Sequence, residues 1–533
     1  MSSRAPQRVL PDLVVPLGFF DDTTLYGTFV MFAMFVVPAQ LDTNKLHDAL
    51  ERVVSRPGWN KLTGRVRRND RGELEYHLPQ SFPKGRHVIT HNPVDRSDIP
   101  LEAEWKVPKA PSDHKPAVMG NPDDLFELVD GPEIPKTVKN YLHSDISLLG
   151  YRTVLFKDYT IIAVYWPHVA FDAMALNSLL KAWSLALNGR DHEIPEALPL
   201  SPYPLEELGK TTSERHVLAD RRMSWFGTAS WVLRNIYDLL SPKEHRMVCV
   251  PAAFVEELKK KAKEDLEKLD YETTAKKAEE SSGDGTTAKI PVETPFLTEG
   301  DLLVAWLTRL FLLNSSENPK KLVCVQQAYN SRPVLGNLLP PQRPFLSNCV
   351  GFLVTLMPIS DVLTKPLGYL ASEIRRSITE QRTTEQAKAY SSLVRQDHYF
   401  RLPPFFGDSS TRLYMFSNWQ KANLYGFTLS GAAIHAQKKL LRPSYVQTVQ
   451  KPYNFPNGII GVGIDEKKNF WLSGHKRKGE WAALEKYMKE VWPKHELYPR
   501  STYQAVALLL RPPFAVVGMA VATWYLGRFF AWY

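Results

Sequence analysis

The run Phe29–Val37, FVMFAMFVV, is apolar on both faces, the pattern of a strand buried in the middle of a sheet. It is too short to cross a bilayer. The rhythm then changes. In LDTNKLHDALERVV, Leu46, Ala49, Leu50 and Val53 share one helical face, with Asp42 or Thr43 as the cap. GELEYHLP reads as another strand. Residues 102–137 carry many prolines and few periodic apolar positions, and read as irregular packing. TVLFKDYTIIAVYWPH gives two strands around a turn at Lys157 and Asp158. After His168 the helical spacing returns through Leu176, Leu179, Leu180, Trp183 and Leu187, and Gly189 stands where that helix ends.

The second half repeats the alternation. A proline-containing connector, EIPEALPLSPYPLEELGK, reads as a crossing between domains. Residues 264–289 are charged, then rich in Ser, Gly and Thr, and read as a mobile surface insertion. TEGDLLVAWLTRLFLLN predicts a helix opened by Thr298 and Asp301. KLVCVQQAY and CVGFLVTLMP predict strands, GIIGVGID and NFWLSG a late hairpin, and EWAALEKYMKEVW a last helix. The pattern predicts an α/β fold in two domains, with mixed sheets flanked by helices. Residues 12–195 form the first domain, 196–245 the connector and 246–498 the second domain. Residues 499–533 form an apolar tail.

That tail changes the picture of location. Between Arg511 and Arg528 it is uncharged and mostly apolar, and Trp524, Tyr525, Trp532 and Tyr533 suit a membrane interface. As a helix the uncharged stretch would span about 24 Å, against about 30 Å of hydrocarbon. Residues 503–533 therefore predict attachment to an intracellular membrane from its cytoplasmic side. A helix packed on the core or docked on a partner is the alternative. Only three cysteines occur, none at CxxC spacing, which excludes a disulfide framework and a cysteine zinc site. The net charge of +9 is spread along 533 residues, without a zinc-finger, basic-zipper or RNA-binding signature, so no nucleic-acid partner is expected.

The candidate chemistry lies in HVAFDA, where a central strand broken by Pro167 turns into a helix. His168 and Asp172 at this spacing allow three readings. A metal site would need further ligands, and no HExxH or histidine cluster supplies them. A structural histidine needs only a hydrogen-bond partner. A general base needs a neutral imidazole, which a pKa near 6.5 provides at working pH.

In this context HVAFDA resembles the HxxxD motif of the BAHD acyltransferases, particularly their fungal branch. Other segments resemble the family in the right order. LTGRV (Leu62–Val66) is similar to its LAGR stretch, and FLTEGDLLVAWLTR to the helix opening its second half. YNSRP (Tyr329–Pro333) is similar to its N-x-R segment, and FLSNCVGF to its YFGN segment. FSNWQKANLYGFTLSGA resembles TSW…LY…DFGWG, and NGIIGVGIDEKKNFWLSG the closing hairpin. The resemblance covers roughly residues 12–495. It implies a chloramphenicol-acetyltransferase-like fold of two α/β domains around a channel. It also implies O-acyl transfer from acyl-CoA, acetyl-CoA foremost, to a hydroxylated small molecule by a monomer without a metal.

By the same resemblance His168 is the general base, and Asp172 supports the motif through an ion pair with Arg332. Ser417 donates to the oxyanion and Trp419 lines the channel. N-acylation by the same fold, and a catalytically silent membrane-associated binding protein, are the alternatives. Two positions depart from the family. Ala173 follows the aspartate where glycine is common, and Thr428, Leu429, Ser430, Gly431 and Ala432 replace DFGWG, so its aspartate is lost.

Overall fold

The computed structural model describes Val9 and residues 12–280, 296–313, 318–397, 401–436, 438–452 and 457–490. Val30–Val37 and Thr160–Pro167, the two runs apolar on both faces, are wholly buried and pair antiparallel at the centre of a five-stranded sheet. Its order is Tyr445–Lys451, Val30–Val37, Thr160–Pro167, Gly150–Phe156 and Thr90–Arg96, antiparallel except for the last pair. A seven-stranded mixed sheet runs Val350–Pro358, Leu322–Asn330, Arg412–Asn418, Gly458–Ile464, Phe470–Arg477, Lys243–Val250 and Ala117–Val118. A third, small sheet joins Leu13–Pro16, Leu74–Leu78 and Arg65–Arg68.

Helices Thr43–Val54 and Ala173–Leu187 cover the first sheet. Asp42 caps the former through the amides of Asn44 and Lys45. Trp183 of the latter donates its indole N–H to the Leu46 carbonyl at 2.9 Å, tying the two helices together. On the second sheet the helix Glu299–Leu313 opens where Thr298 meets Asp301. Oδ2 of Asp301 accepts from the Thr298 amide and hydroxyl at 2.7 and 2.8 Å and pairs with Arg375.

The two halves exchange strands. Tyr445–Lys451 completes the first sheet, and Ala117–Val118 pairs with Lys243–Val250 in the second. The core around the first sheet accordingly includes Trp419, Tyr425 and Phe427. Hydrophobic period identifies a strand but not which sheet edge it joins, so divisions at residues 195 and 246 miss these exchanges.

Two local expectations also differ. Within 102–137 the chain forms the helix Pro122–Val129. Asn121 caps it, proline takes its first position, and Leu125, Phe126 and Val129 are buried. It is too short for its period to stand out. Residues 264–280, read from composition as part of a mobile insertion, are helical and continue the helix Ala252–Glu280. Interleaved acids and bases such as Lys263 and Glu267 support such a helix on its exposed face. Residues 281–289 and the tail 499–533 lie outside the described residues. Among the described residues no helix is long and apolar enough to cross a membrane.

Candidate active site

Pro167 ends its strand, and the chain turns, with the Ala170 amide bonding the Pro167 carbonyl at 2.9 Å. The turn carries four successive carbonyl groups, His168 to Phe171, that neither strand nor helix satisfies. Each accepts from a different side chain. Asn348 Nδ2 donates to His168 at 2.9 Å, Tyr76 Oη to Val169 at 2.8 Å, Lys61 Nζ to Ala170 at 2.8 Å and Trp166 Nε1 to Phe171 at 2.9 Å. Buried carbonyls left unpaired would cost about 1–3 kcal/mol each, so this set of donors fixes the path of the loop.

Asp172 closes the turn and opens the next helix. Oδ1 accepts from the amides of Met174 and Ala175 at 3.0 and 3.1 Å. The Arg332 guanidinium grips both oxygens at 2.9 and 3.0 Å, and the Cys349 amide adds a bond of 2.8 Å to Oδ2. Arg332 also donates to the carbonyls of Phe345 and Ser347. Burial works to raise the carboxyl pKa, but Arg332 and these donors outweigh it and hold Asp172 below the usual carboxylate range. Asp172 is thus a buried anchor of the loop, and its oxygens are fully engaged.

His168 stands at the other end of the turn. Its amide continues the sheet by bonding the Phe29 carbonyl at 3.2 Å. The ring lies parallel to Tyr26, centroids 4.3 Å apart and planes 9° apart, and Phe29 meets it edge-on at 5.0 Å. Nδ1 is buried without a hydrogen-bond partner, while the residue as a whole is only half-buried. Aromatic packing against Tyr26 and Phe29 therefore orients the ring.

Burial lowers the imidazole pKa below 6.5, with Asp172 acting in the opposite sense. The ring is therefore neutral at pH 7 and able to accept a proton. Two consequences follow for pH. Activity that needs the neutral ring keeps its plateau down to pH 6.5 and loses it only in more acid solution. Because the unfolded chain takes up this proton more readily, His168 also contributes a loss of stability as pH falls below 6.5. A kcat/KM profile from pH 5 to 8 checks the first. An acid limb centred above 6.5 would contradict it.

Ser417 and Trp419 sit on a different element. The strand Arg412–Asn418 pairs Ser417 with Ala328, four residues before Arg332 on the neighbouring strand's path. The Ser417 hydroxyl oxygen accepts from Trp419 Nε1 at 3.0 Å, which leaves its own hydrogen free to donate. Trp419 is 6% exposed, packs with the core of the first sheet and points its indole N–H at Ser417. The segment that replaces DFGWG lies against the helix that Asp172 opens. Ser184 Oγ accepts from the Thr428 amide, and a Cβ at Gly431 would fall 1.9 Å from the Leu187 carbonyl.

Sequence reasoning missed Lys61, Asp21, Tyr76 and Asn348. Lys61 is 3% exposed, and burial pushes its pKa down to about 8 against the pull of Asp21 and Asp172. Besides the loop it bonds the Leu346 carbonyl and Ser347 Oγ. Asp21, fully buried, accepts from the amide and Nδ2 of Asn348 at 2.7 and 2.8 Å. Burial raises its pKa. A signal was present: Lys61 immediately precedes LTGRV, and Asn348 belongs to FLSNCVGF.

With this geometry in place, similarity to known proteins becomes informative. No family model matches the chain. It is 31% identical over 504 residues to a Penicillium decumbens protein named transcriptional regulator calD, covering 91% of this chain and 97% of that one. It is 30% identical over 521 residues to acetyltransferase sphE of Aspergillus fumigatus, covering 91% and 96%. Other relatives include proteins named O-acyltransferase and a second one named transcriptional regulator. The fold is shared with F. sporotrichioides TRI101, solved in complex with coenzyme A and T-2. Its TM-score is 0.62 at 14% identity, over 90% of this chain and 98% of that one. Fold and relatives together define an acyl-CoA-dependent acyltransferase. The chain belongs to the BAHD family.

Proposed function

We propose that this chain is an O-acyltransferase of the family's fungal branch. It carries an acyl group, foremost acetyl, from acyl-CoA to a hydroxyl of a small specialised metabolite. The observation that supports this reading best is the loop itself. Five side chains and the Cys349 amide are spent on holding residues 168–172, yet Nδ1 of the half-buried imidazole at its start is buried with no hydrogen-bond partner. A merely structural histidine would be expected to pair its buried ring nitrogen in a hydrogen bond.

In this mechanism neutral His168 takes the proton of the acceptor hydroxyl as its oxygen attacks the thioester carbon. The C–O bond forms and the carbonyl electrons move onto oxygen. Ser417, its hydroxyl hydrogen unclaimed, donates to that oxyanion. The intermediate collapses by breaking the C–S bond, and the imidazolium returns its proton to the departing CoA thiolate. Asp172 and Arg332 stay paired throughout and hold the base in place. Relatives named acetyltransferase and O-acyltransferase, and the complex of TRI101 with coenzyme A, support the choice of donor and reaction.

Two results are expected. Incubated with acetyl-CoA and a panel of alcohols and amines, the protein yields acetyl esters detectable by mass spectrometry. Acetyl amides alone would replace O-transfer with N-transfer, and no product from any acyl-CoA would overturn the reading. Ser417→Ala, which removes one oxyanion donor, is expected to lower kcat by about 10² with KM little changed. An unchanged kcat would remove Ser417 from the mechanism.

A further inference from the structure

The side-chain nitrogen of Lys61 is a crossing point between the two halves of the chain. It donates to the Ala170 carbonyl at 2.8 Å, to the Leu346 carbonyl at 2.6 Å and to Ser347 Oγ at 2.5 Å. The first acceptor lies in the loop that presents His168. The other two lie in the segment 345–349, which also gives the Phe345 and Ser347 carbonyls to Arg332 and the Cys349 amide to Asp172. Asp21 and Asp172 attract the Lys61 charge, Arg332 repels it, and the Tyr76 ring lies 4.9 Å from the nitrogen.

Three acceptors decide which protonation state makes this tie. A carbonyl oxygen only accepts, and the Ser347 hydrogen is drawn to the Asp21 carboxyl, so the nitrogen must donate in all three directions. An ammonium has the three hydrogens required. A neutral amine has two, and leaves one oxygen of the set, or Asp21 if the serine turns, without a partner. Burial meanwhile lowers the pKa of this lysine to about 8. The complete tie is therefore lost in mildly alkaline solution, where an ordinary lysine stays charged.

We propose that Lys61 is a positioning residue: its ammonium locks the loop bearing His168 against the segment 345–349, and acyl transfer needs that lock closed. The proposal rests on the acyltransferase reading of His168. In the native protein kcat, measured as ester formed from acetyl-CoA, should hold up to about pH 8 and fall to about a tenth by pH 9. Lys61→Met, which keeps the side chain's length but has no hydrogen to donate, should lower kcat at pH 7 by about 10² and lose the alkaline limb. Ser347→Ala leaves two acceptors, enough for a neutral amine, and should flatten the limb to less than about threefold. It decides the matter if Lys61→Met does not fold. Stability should move the opposite way. The unfolded chain holds this proton more tightly, so from pH 8 to 9.5 the native protein should gain on Lys61→Met in melting temperature while it loses activity. A merely structural lysine would cost activity only where the protein melts. Equal alkaline falls in the native protein and Ser347→Ala, or no fall in the native protein by pH 9.5, would overturn the proposal. If no acyl-CoA gives product, the enzyme reading fails by itself and hydrogen exchange decides the lock. Protection of residues 168–172 in the native protein, corrected for the intrinsic rate, should drop about tenfold from pH 7 to 9.5, and an unchanged protection would remove the lock.

Discussion

Replacing His168 with alanine is expected to lower kcat/KM by about 10²–10⁴, or to the limit of detection, while the protein stays folded. The separation of the two effects follows from the contacts. Nδ1 makes no hydrogen bond, so no buried donor or acceptor on the protein loses its partner. What is lost is stacking on Tyr26 and the edge contact with Phe29, each worth about 0.5–1.5 kcal/mol. The loop keeps its anchors, since Asn348 bonds the His168 backbone carbonyl and not its side chain. Circular dichroism and a melting curve beside the kinetics check both halves. A variant that unfolds would instead make His168 a structural residue.

Removing Asp172 should do the reverse. Asp172→Ala leaves the Arg332 guanidinium buried without a carboxylate, frees the Cys349 amide, and strips the cap from the helix Ala173–Leu187. Breaking a buried pair by deleting one partner typically costs about 3–5 kcal/mol, and a cap about 1 kcal/mol more. Denaturant unfolding should report a loss in that range, with activity falling as the folded fraction falls. Pairing Asp172→Leu with Arg332→Met should recover part of the stability, because it removes the stranded charge. It should not recover activity, because the loop that presents His168 has lost its anchor. A double variant no more stable than Asp172→Ala would mean that capping, not the ion pair, dominates.

Much of this arrangement was legible in the sequence, for a physical reason. A strand apolar on both faces has one natural place, the middle of a sheet, and Thr160–Pro167 is there. The helix after Asp172 announced itself by its apolar spacing and by Gly189 just past its end. The scattered segments YNSRP and FLSNCVGF resembled one family for a reason the geometry explains. They supply Arg332, Asn348 and Cys349, which hold the loop bearing His168 and Asp172. Lys61 was harder to see, because a lysine in a polar stretch usually faces water. Its burial depends on three acceptors distant in sequence, Ala170, Leu346 and Ser347. The exchange of Tyr445–Lys451 and Ala117–Val118 between sheets left no local mark either. Tyr26 lies in a short turn with no period to read, and its role comes only from the ring beneath it.

The central claim is that one imidazole, held by a loop that spends its other groups on support, takes the proton of an incoming hydroxyl. It is tested most directly by following free thiol released from acetyl-CoA at pH 7, with and without an alcohol acceptor, for the native protein and His168→Ala. The account predicts release that depends on the alcohol in the native protein and nearly disappears in the variant. Equal, acceptor-dependent release by both would contradict it.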